Sequence, residues 1–353
     1  IRGYLIGNNP EKEDFMKRLL KRTALLAAVL LGCAAANAET INGAGASFPA
    51  PVYAAWTYSY NKVNEAKDQF NYQSIGSGAG VSQLKSGTID FAGSDDPVKE
   101  KDLRQHNLLQ FPMLVGGIVP VVNIPGIKSD ELKLDGATLA AIFFGDIRKW
   151  NDPAIASQNP GLKLPNQRIT VVRRSDGSGT TWIFTNYLCK VSEKWAKGPG
   201  NAKDVKWFRG TLGAKGNPGI ANNVAKTRGS IGYVEYAYAK EAGLATVQLK
   251  NADGSYVSPN SATFAAATAN ADWKGAKDFR VELNNQKGAN AWPITGVTYI
   301  VLKKDLNKAT AEKLFGYFNW CYSDGRRQAS DMHYVPMPED VVKLVRESWK
   351  AVK

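Results

Sequence analysis

Short runs of β-branched and aromatic residues alternate with amphipathic stretches along nearly the whole 353-residue chain. Residues 70–75, 89–92, 115–123, 169–172, 231–234, 245–249 and 298–302 read as strands, and residues 51–64 and 139–144 read as helices. Parallel neighbours need a crossover element between them, so this order predicts an α/β architecture with mostly parallel sheets. The length suits two lobes, each with its own core, because single cores rarely grow past roughly 250 residues. The sequence carries no internal repeat, heptad run or low-complexity tract, which excludes solenoids and coiled coils.

Residues 111–123 are unusual in being long, almost continuously apolar and interrupted by the pair Gly116-Gly117. The stretch reads as one buried strand that leaves a first lobe and enters a second, with the chain returning near residues 245–251.

The N-terminal region belongs to export rather than to the fold. Residues 16–22 form a basic head, residues 24–32 an apolar run, and Ala36-Asn37-Ala38 a small-residue cleavage site. An apolar run of about ten residues is too short to span a bilayer. Two processing routes are open: cleavage after Ala38, or lipidation at Cys33 of Leu30-Leu31-Gly32-Cys33. Cleavage after Ala38 is the simpler, since a strand-like start follows at once, and it predicts a soluble, exported chain. Residues 1–15 are polar and unlike any signal, and read as an upstream extension. Cys33 leaves with the signal. Cys189 and Cys321 then form an even pair, either as a disulfide suited to an oxidising compartment or as two buried thiols.

The formal net charge is +13; removing residues 1–38 takes away six basic and three acidic side chains and leaves +10. Such a field draws anions, whether a small oxyanion, nucleic acid or lipid headgroups. The lysines are scattered and no RNP-like or zinc-finger spacing occurs, so nucleic acid is not the expected partner.

Three segments share one chemical plan, small residues and glycines carrying hydroxyls just ahead of a helix: Gly43-Ala44-Gly45-Ala46-Ser47-Phe48-Pro49, Gly76-Ser77-Gly78-Ala79-Gly80 and Asp176-Gly177-Ser178-Gly179-Thr180. Glycine lets successive N–H groups converge on one point, and a helix starting there adds positive potential. Ser47, Ser77, Ser178 and Thr180 add hydroxyl donors. Any one segment alone is equally an ordinary turn capping a helix, but three in one chain make an anion cradle. Arg173-Arg174 ends the strand ahead of the third segment. Alternation along a strand turns only one of the two toward the site, where a guanidinium matches a tetrahedral oxyanion with paired hydrogen bonds, and Asp176 can orient it. The run Asp90-Phe91-Ala92-Gly93-Ser94-Asp95-Asp96-Pro97 places a carboxylate near this anion site. Either it caps a helix starting near Pro97, or it accepts the proton that phosphate carries near neutral pH and sulfate lacks.

Only His106 and His333 are available as general bases, in no recognisable catalytic or metal-ligating spacing, so binding without catalysis and without a cofactor is the expected function.

Six ordered motifs, Gly43 to Tyr53, Asp90 to Asp95, Ile147 to Asp152, Val171 to Thr180, Gly232 to Tyr238 and Ala291 to Ile294, closely resemble the periplasmic phosphate-binding proteins of Pst-type ABC importers. The resemblance runs from Thr40 to about Lys350. It implies a type-II periplasmic binding protein, two α/β lobes joined by a two-segment hinge: residues 39–116 and 251–353 as the first lobe and 117–250 as the second. It further implies inorganic phosphate held by Ser47, the Phe48 backbone N–H, Ser77, Asp95, Arg174, Ser178, Gly179 and Thr180, with Asp176 supporting Arg174. The implied partners of this monomeric receptor are the permease and ATPase subunits of the importer. Ser47 stands where the family often has threonine, and many members lack the cysteine pair. A receptor for sulfate, molybdate or tungstate on the same fold is the alternative.

Overall fold

The computed structural model describes residues 40–64 and 68–352; the residues read as an export signal, both expected processing sites and Cys33 lie outside the described residues. The strands are β1 Thr40–Gly45, β2 Gln69–Ser74, β3 Phe91–Ser94, β4 Leu108–Asn123, β5 Lys133–Leu134, β6 Thr170–Arg174, β7 Leu212–Ala214, β8 Ser230–Glu235, β9 Ala245–Thr246, β10 Gln248–Lys250, β11 Tyr256–Val257, β12 Thr295–Lys303 and β13 Val335–Pro336. The helices that matter for the site and its support are α1 Ala50–Val63, α2 Ser77–Ser86, α3 Gly136–Phe144, α4 Gly179–Val191, α5 Gly216–Lys226, α6 Tyr236–Glu241 and α7 Lys308–Tyr322.

The main sheet runs β2-β1-β3-β12-β4-β8-β6-β7. Its two wings are parallel: β2, β1 and β3 on one side and β8, β6 and β7 on the other. The middle is antiparallel, where β12 pairs with β3 and β4, and β4 pairs with β8. Parallel pairing thus holds where helices cover the strands, and gives way where the chain passes from wing to wing.

That passage is β4. Its residues 108–117 pair with β12 and its residues 118–123 pair with β8, so a single strand is shared between the wings. Fourteen of its sixteen residues are buried, which accounts for the unbroken apolar run. Gly116 and Gly117 sit at the changeover because aromatic rings press directly on the backbone there. A Cβ on Gly117 would lie 2.1 Å from the Phe264 ring, and one on Gly116 2.7 Å from the Phe48 ring. The residues read as one strand over 245–249 divide at Val247 into β9, on β4, and β10, in a small sheet with β5 and β11. The boundary expected after Lys250 falls inside the β10–β11 hairpin.

The two remaining cysteines do not bridge. Cys189 is half-buried on α4, which packs against α3, whereas Cys321 is buried on α7, which packs against α1 on the other wing. Both are free thiols, and burial pushes both above the usual thiol pKa, as for small apolar side chains.

Candidate anion-binding site

Four helix N-termini meet between the wings, one more than the sequence predicts. α1 follows Ser47-Phe48-Pro49, α2 starts at Ser77, α4 starts at Gly179 and α5 at Gly216. Each leaves first-turn N–H groups without intrahelical partners and carries the positive end of its dipole. The turns touch one another directly. Gly78 N–H donates to Gly177 O at 3.0 Å, and a Cβ on Gly179 would lie 2.4 Å from Ser77 Oγ and 2.6 Å from Asp95 Oδ2. Only a glycine lets α4 approach α2 and β3 this closely.

The hydroxyls are held by different means. Ser178 is the N-cap of α4, its Oγ accepting from Thr181 N–H at 3.0 Å, while its own N–H donates to Lys203 O. Ser77 Oγ accepts from Asp95 N–H at 3.3 Å. Ser47 and Thr180 share a neighbour that the sequence reading missed, Asn217 on α5. Asn217 donates its backbone N–H to Ser47 Oγ, and its Nδ2 to both Ser47 Oγ and Thr180 Oγ1. Nothing local marks Asn217, because its segment Lys215-Gly216-Asn217-Pro218 carries no hydroxyl and Ser47 lies 170 positions away.

Arg174 is the buried arginine of the pair. Its Nε and Nη2 donate to Asp176 Oδ1 and Oδ2 at 2.7 and 2.5 Å, and its Nη1 has no partner among the described residues. Arg173 faces away and is half-buried, its Nη1 donating to Arg174 O. Gly216 N–H also donates to Asp176. Burial works against the Asp176 carboxylate, but Arg174 and this backbone donor outweigh it and hold its pKa below the usual range.

Asp95 does not cap a helix. It is buried at the end of β3, and neither carboxylate oxygen has a hydrogen-bond partner among the described residues. Burial pushes its pKa up to about 7; the Thr298 hydroxyl, Arg174 and the Ser77 hydroxyl pull against that without completing a hydrogen bond to it. Asp96 beside it is partly exposed and pairs with Lys203 at 2.8 Å. Phe48 is fully buried, with its carbonyl accepting from Tyr334 O–H at 2.8 Å. The eight residues proposed from sequence as ligands, and Asp176, are therefore gathered at this one junction of helix ends and strand ends. A second buried carboxyl, Glu235, lies behind it. It accepts from Ala237 N–H and is bonded to Tyr334 Oη, and burial raises its pKa.

A family model described as a PBP superfamily domain matches residues 34–325. Among curated relatives, the phosphate-binding protein PstS of Pasteurella multocida is 49% identical over 334 residues, covering 94% of this chain and 96% of its own. The PstS of Haemophilus influenzae is 49% identical over 316 residues, covering 89% and 94%. The chain belongs to the PstS family. The likeness extends to solved structures at the level of fold. A high-affinity periplasmic phosphate-binding protein bound with phosphate aligns with TM-score 0.68 at 20% identity, covering 87% of this chain and 93% of the other. The phosphate-binding protein of Stenotrophomonas maltophilia aligns with TM-score 0.65 at 20% identity, covering 88% and 94%. The fold is the two-lobed type-II periplasmic binding protein, as the sequence motifs imply.

Proposed function

We propose that this chain is the periplasmic receptor of a phosphate ABC importer: it binds inorganic phosphate between its lobes and presents it to the permease and ATPase subunits. The observation that carries the reading is the pairing of opposites in one buried site. Asp95 offers two unpaired acceptor oxygens in the midst of donors, among them the unpaired Nη1 of Arg174. A ligand that is anionic on most sides and a proton donor on one satisfies both. Phosphate is such a ligand near neutral pH. Sulfate, molybdate and tungstate are fully ionised there and would face Asp95 with charge against charge.

In this reading Ser47, the Phe48 N–H, Ser77, Arg174, Ser178, Gly179 and Thr180 donate to phosphate, Asp95 accepts its proton and Asp176 holds Arg174. Residues 39–116 and 251–353 form one lobe and residues 117–250 the other. β4 acts as a hinge strand, since its two halves answer to different partners. Phosphate that touches both lobes only when they close biases the closed form, which the importer then recognises. The receptor works as a monomer, and catalysis forms no part of its role: the Ser47, Ser77, Ser178 and Thr180 hydroxyls each accept from a backbone N–H or from the Asn217 amide, an arrangement that turns them into donors toward a ligand.

Calorimetry of the purified, phosphate-stripped protein tests this. One phosphate per chain with a dissociation constant of about 1 μM or tighter supports it. No binding at about 1 mM phosphate removes it.

A further inference from the structure

We infer that Asn217 is a positioning residue that fixes the Ser47 and Thr180 hydroxyls as donors toward the ligand and clasps the two wings together when the cleft is shut. This inference rests on the phosphate reading of the site and deepens it.

The orientation of the Asn217 carboxamide follows from its surroundings. Glu235 N–H donates to Asn217 Oδ1 at 3.0 Å, so the oxygen end is settled and the Nδ2 end points the other way. Its two hydrogens go to Ser47 Oγ at 3.0 Å and Thr180 Oγ1 at 3.1 Å, while the Asn217 backbone N–H adds a second donor to Ser47 Oγ at 3.1 Å.

A hydroxyl has one hydrogen and two acceptor positions. Both acceptor positions of Ser47 are filled by Asn217, and neither of those nitrogens can accept. The Ser47 hydrogen must therefore go elsewhere, and the cleft is where a tetrahedral anion offers acceptors. Thr180 is biased in the same sense through its one bond from Nδ2. A rotatable hydroxyl would otherwise lose free energy on choosing a direction at the moment of binding. Here that choice is made in advance. Asn217 is itself completely buried, so its donors have no water to turn to if Ser47 moves away.

The same contacts are placed to respond to closure. Ser47 follows β1 on one wing, whereas Thr180 and Asn217 open α4 and α5 on the other. The Ser47–Asn217 bonds cross between the wings, and the Tyr238 O–H donates to Ser47 O at 2.6 Å beside them.

The test is a double-mutant cycle read by phosphate calorimetry and stopped-flow release. Asn217→Ala should weaken phosphate binding about 30-fold, mostly through faster release, since two hydrogen bonds to a charged ligand lose their alignment. In a Ser47→Ala background the same substitution should cost only about 3-fold, because only Thr180 then remains to be oriented. Asn217→Asp, close to isosteric, replaces the donor by an acceptor that draws both hydroxyl hydrogens away from the ligand. It should bind at least as weakly as Asn217→Ala, and serves if the alanine variant does not fold. An equal loss in both backgrounds, or unchanged release, overturns the inference while leaving the phosphate reading intact. Failure of the unsubstituted protein to bind phosphate overturns that reading instead.

Discussion

Arg174 and Asp176 face each other in a two-pronged ion pair, Nε to Oδ1 at 2.7 Å and Nη2 to Oδ2 at 2.5 Å, which leaves Nη1 as the one unpaired corner of a buried guanidinium. The pair aims the arginine and neutralises it in the absence of an anion. Removing the carboxylate strands a buried charge, so Asp176→Ala should cost about 3 kcal/mol of stability in phosphate-free protein. Bound phosphate supplies a replacement anion, so the loss measured by urea unfolding should shrink when phosphate is present. The pair's contribution is complete above about pH 4, the unfolded-state pKa of aspartate, and disappears as pH falls through the lowered value in the folded protein.

Asp95 decides between oxyanions. Asp95→Asn puts an amide where the unpaired carboxylate stood, removing the charge that repels sulfate and adding a donor toward it. Competition calorimetry should find the preference for phosphate over sulfate reduced by at least about 100-fold, the worth of one unpaired buried charge against a hydrogen bond.

The same carboxyl makes that preference pH-dependent. Burial pushes the Asp95 pKa up to about 7, so below that pH the unliganded site increasingly holds a protonated, donor-capable carboxyl. Sulfate should compete better as pH falls from 8 toward 5, and this trend should be absent in Asp95→Asn. A sulfate affinity that is flat with pH in both proteins would contradict the assignment.

At Gly179, α4 meets the opposite wing with no room for a side chain. The methyl of Gly179→Ala would meet Ser77 Oγ at 2.4 Å and Asp95 Oδ2 at 2.6 Å, and these buried atoms cannot step aside without losing their own geometry. The variant should fold with near-normal stability when the cleft is open, yet bind phosphate at least about 100-fold more weakly. Small-angle scattering with saturating phosphate should find it more extended than the unsubstituted protein.

Much of the site is written locally and was therefore readable. Gly/Ser turns ahead of helices announce helix N-termini, and three of the four were found because each carries its hydroxyls in sequence with its glycines. The fourth, at Gly216-Asn217, was not, since its donors act on residues far away in the chain. Alternation along the strand turns one arginine inward, and the buried one is Arg174. The strand read over 89–92 starts two residues later, because the Asp90 carboxylate accepts from Asn42 N–H at 2.7 Å and sits ahead of the ladder. The long strand begins earlier than its apolar core, at Leu108, because Gln110 is buried by bonding to Val98 N–H and to Asp278 O. Antiparallel pairing through the middle of the sheet and the separation of the cysteines are long-range properties that no local pattern encodes.

The central claim is that Asp95 and Arg174 grip the same tetrahedral anion, one through its proton and the other through its charge. A crystal structure of the phosphate complex tests it most directly. The account predicts one phosphate oxygen within hydrogen-bond distance of an Asp95 carboxylate oxygen and another on Arg174 Nη1, with Ser47 Oγ and Thr180 Oγ1 donating. A phosphate bound elsewhere, or one that touches Arg174 while Asp95 stays unpaired, would contradict it.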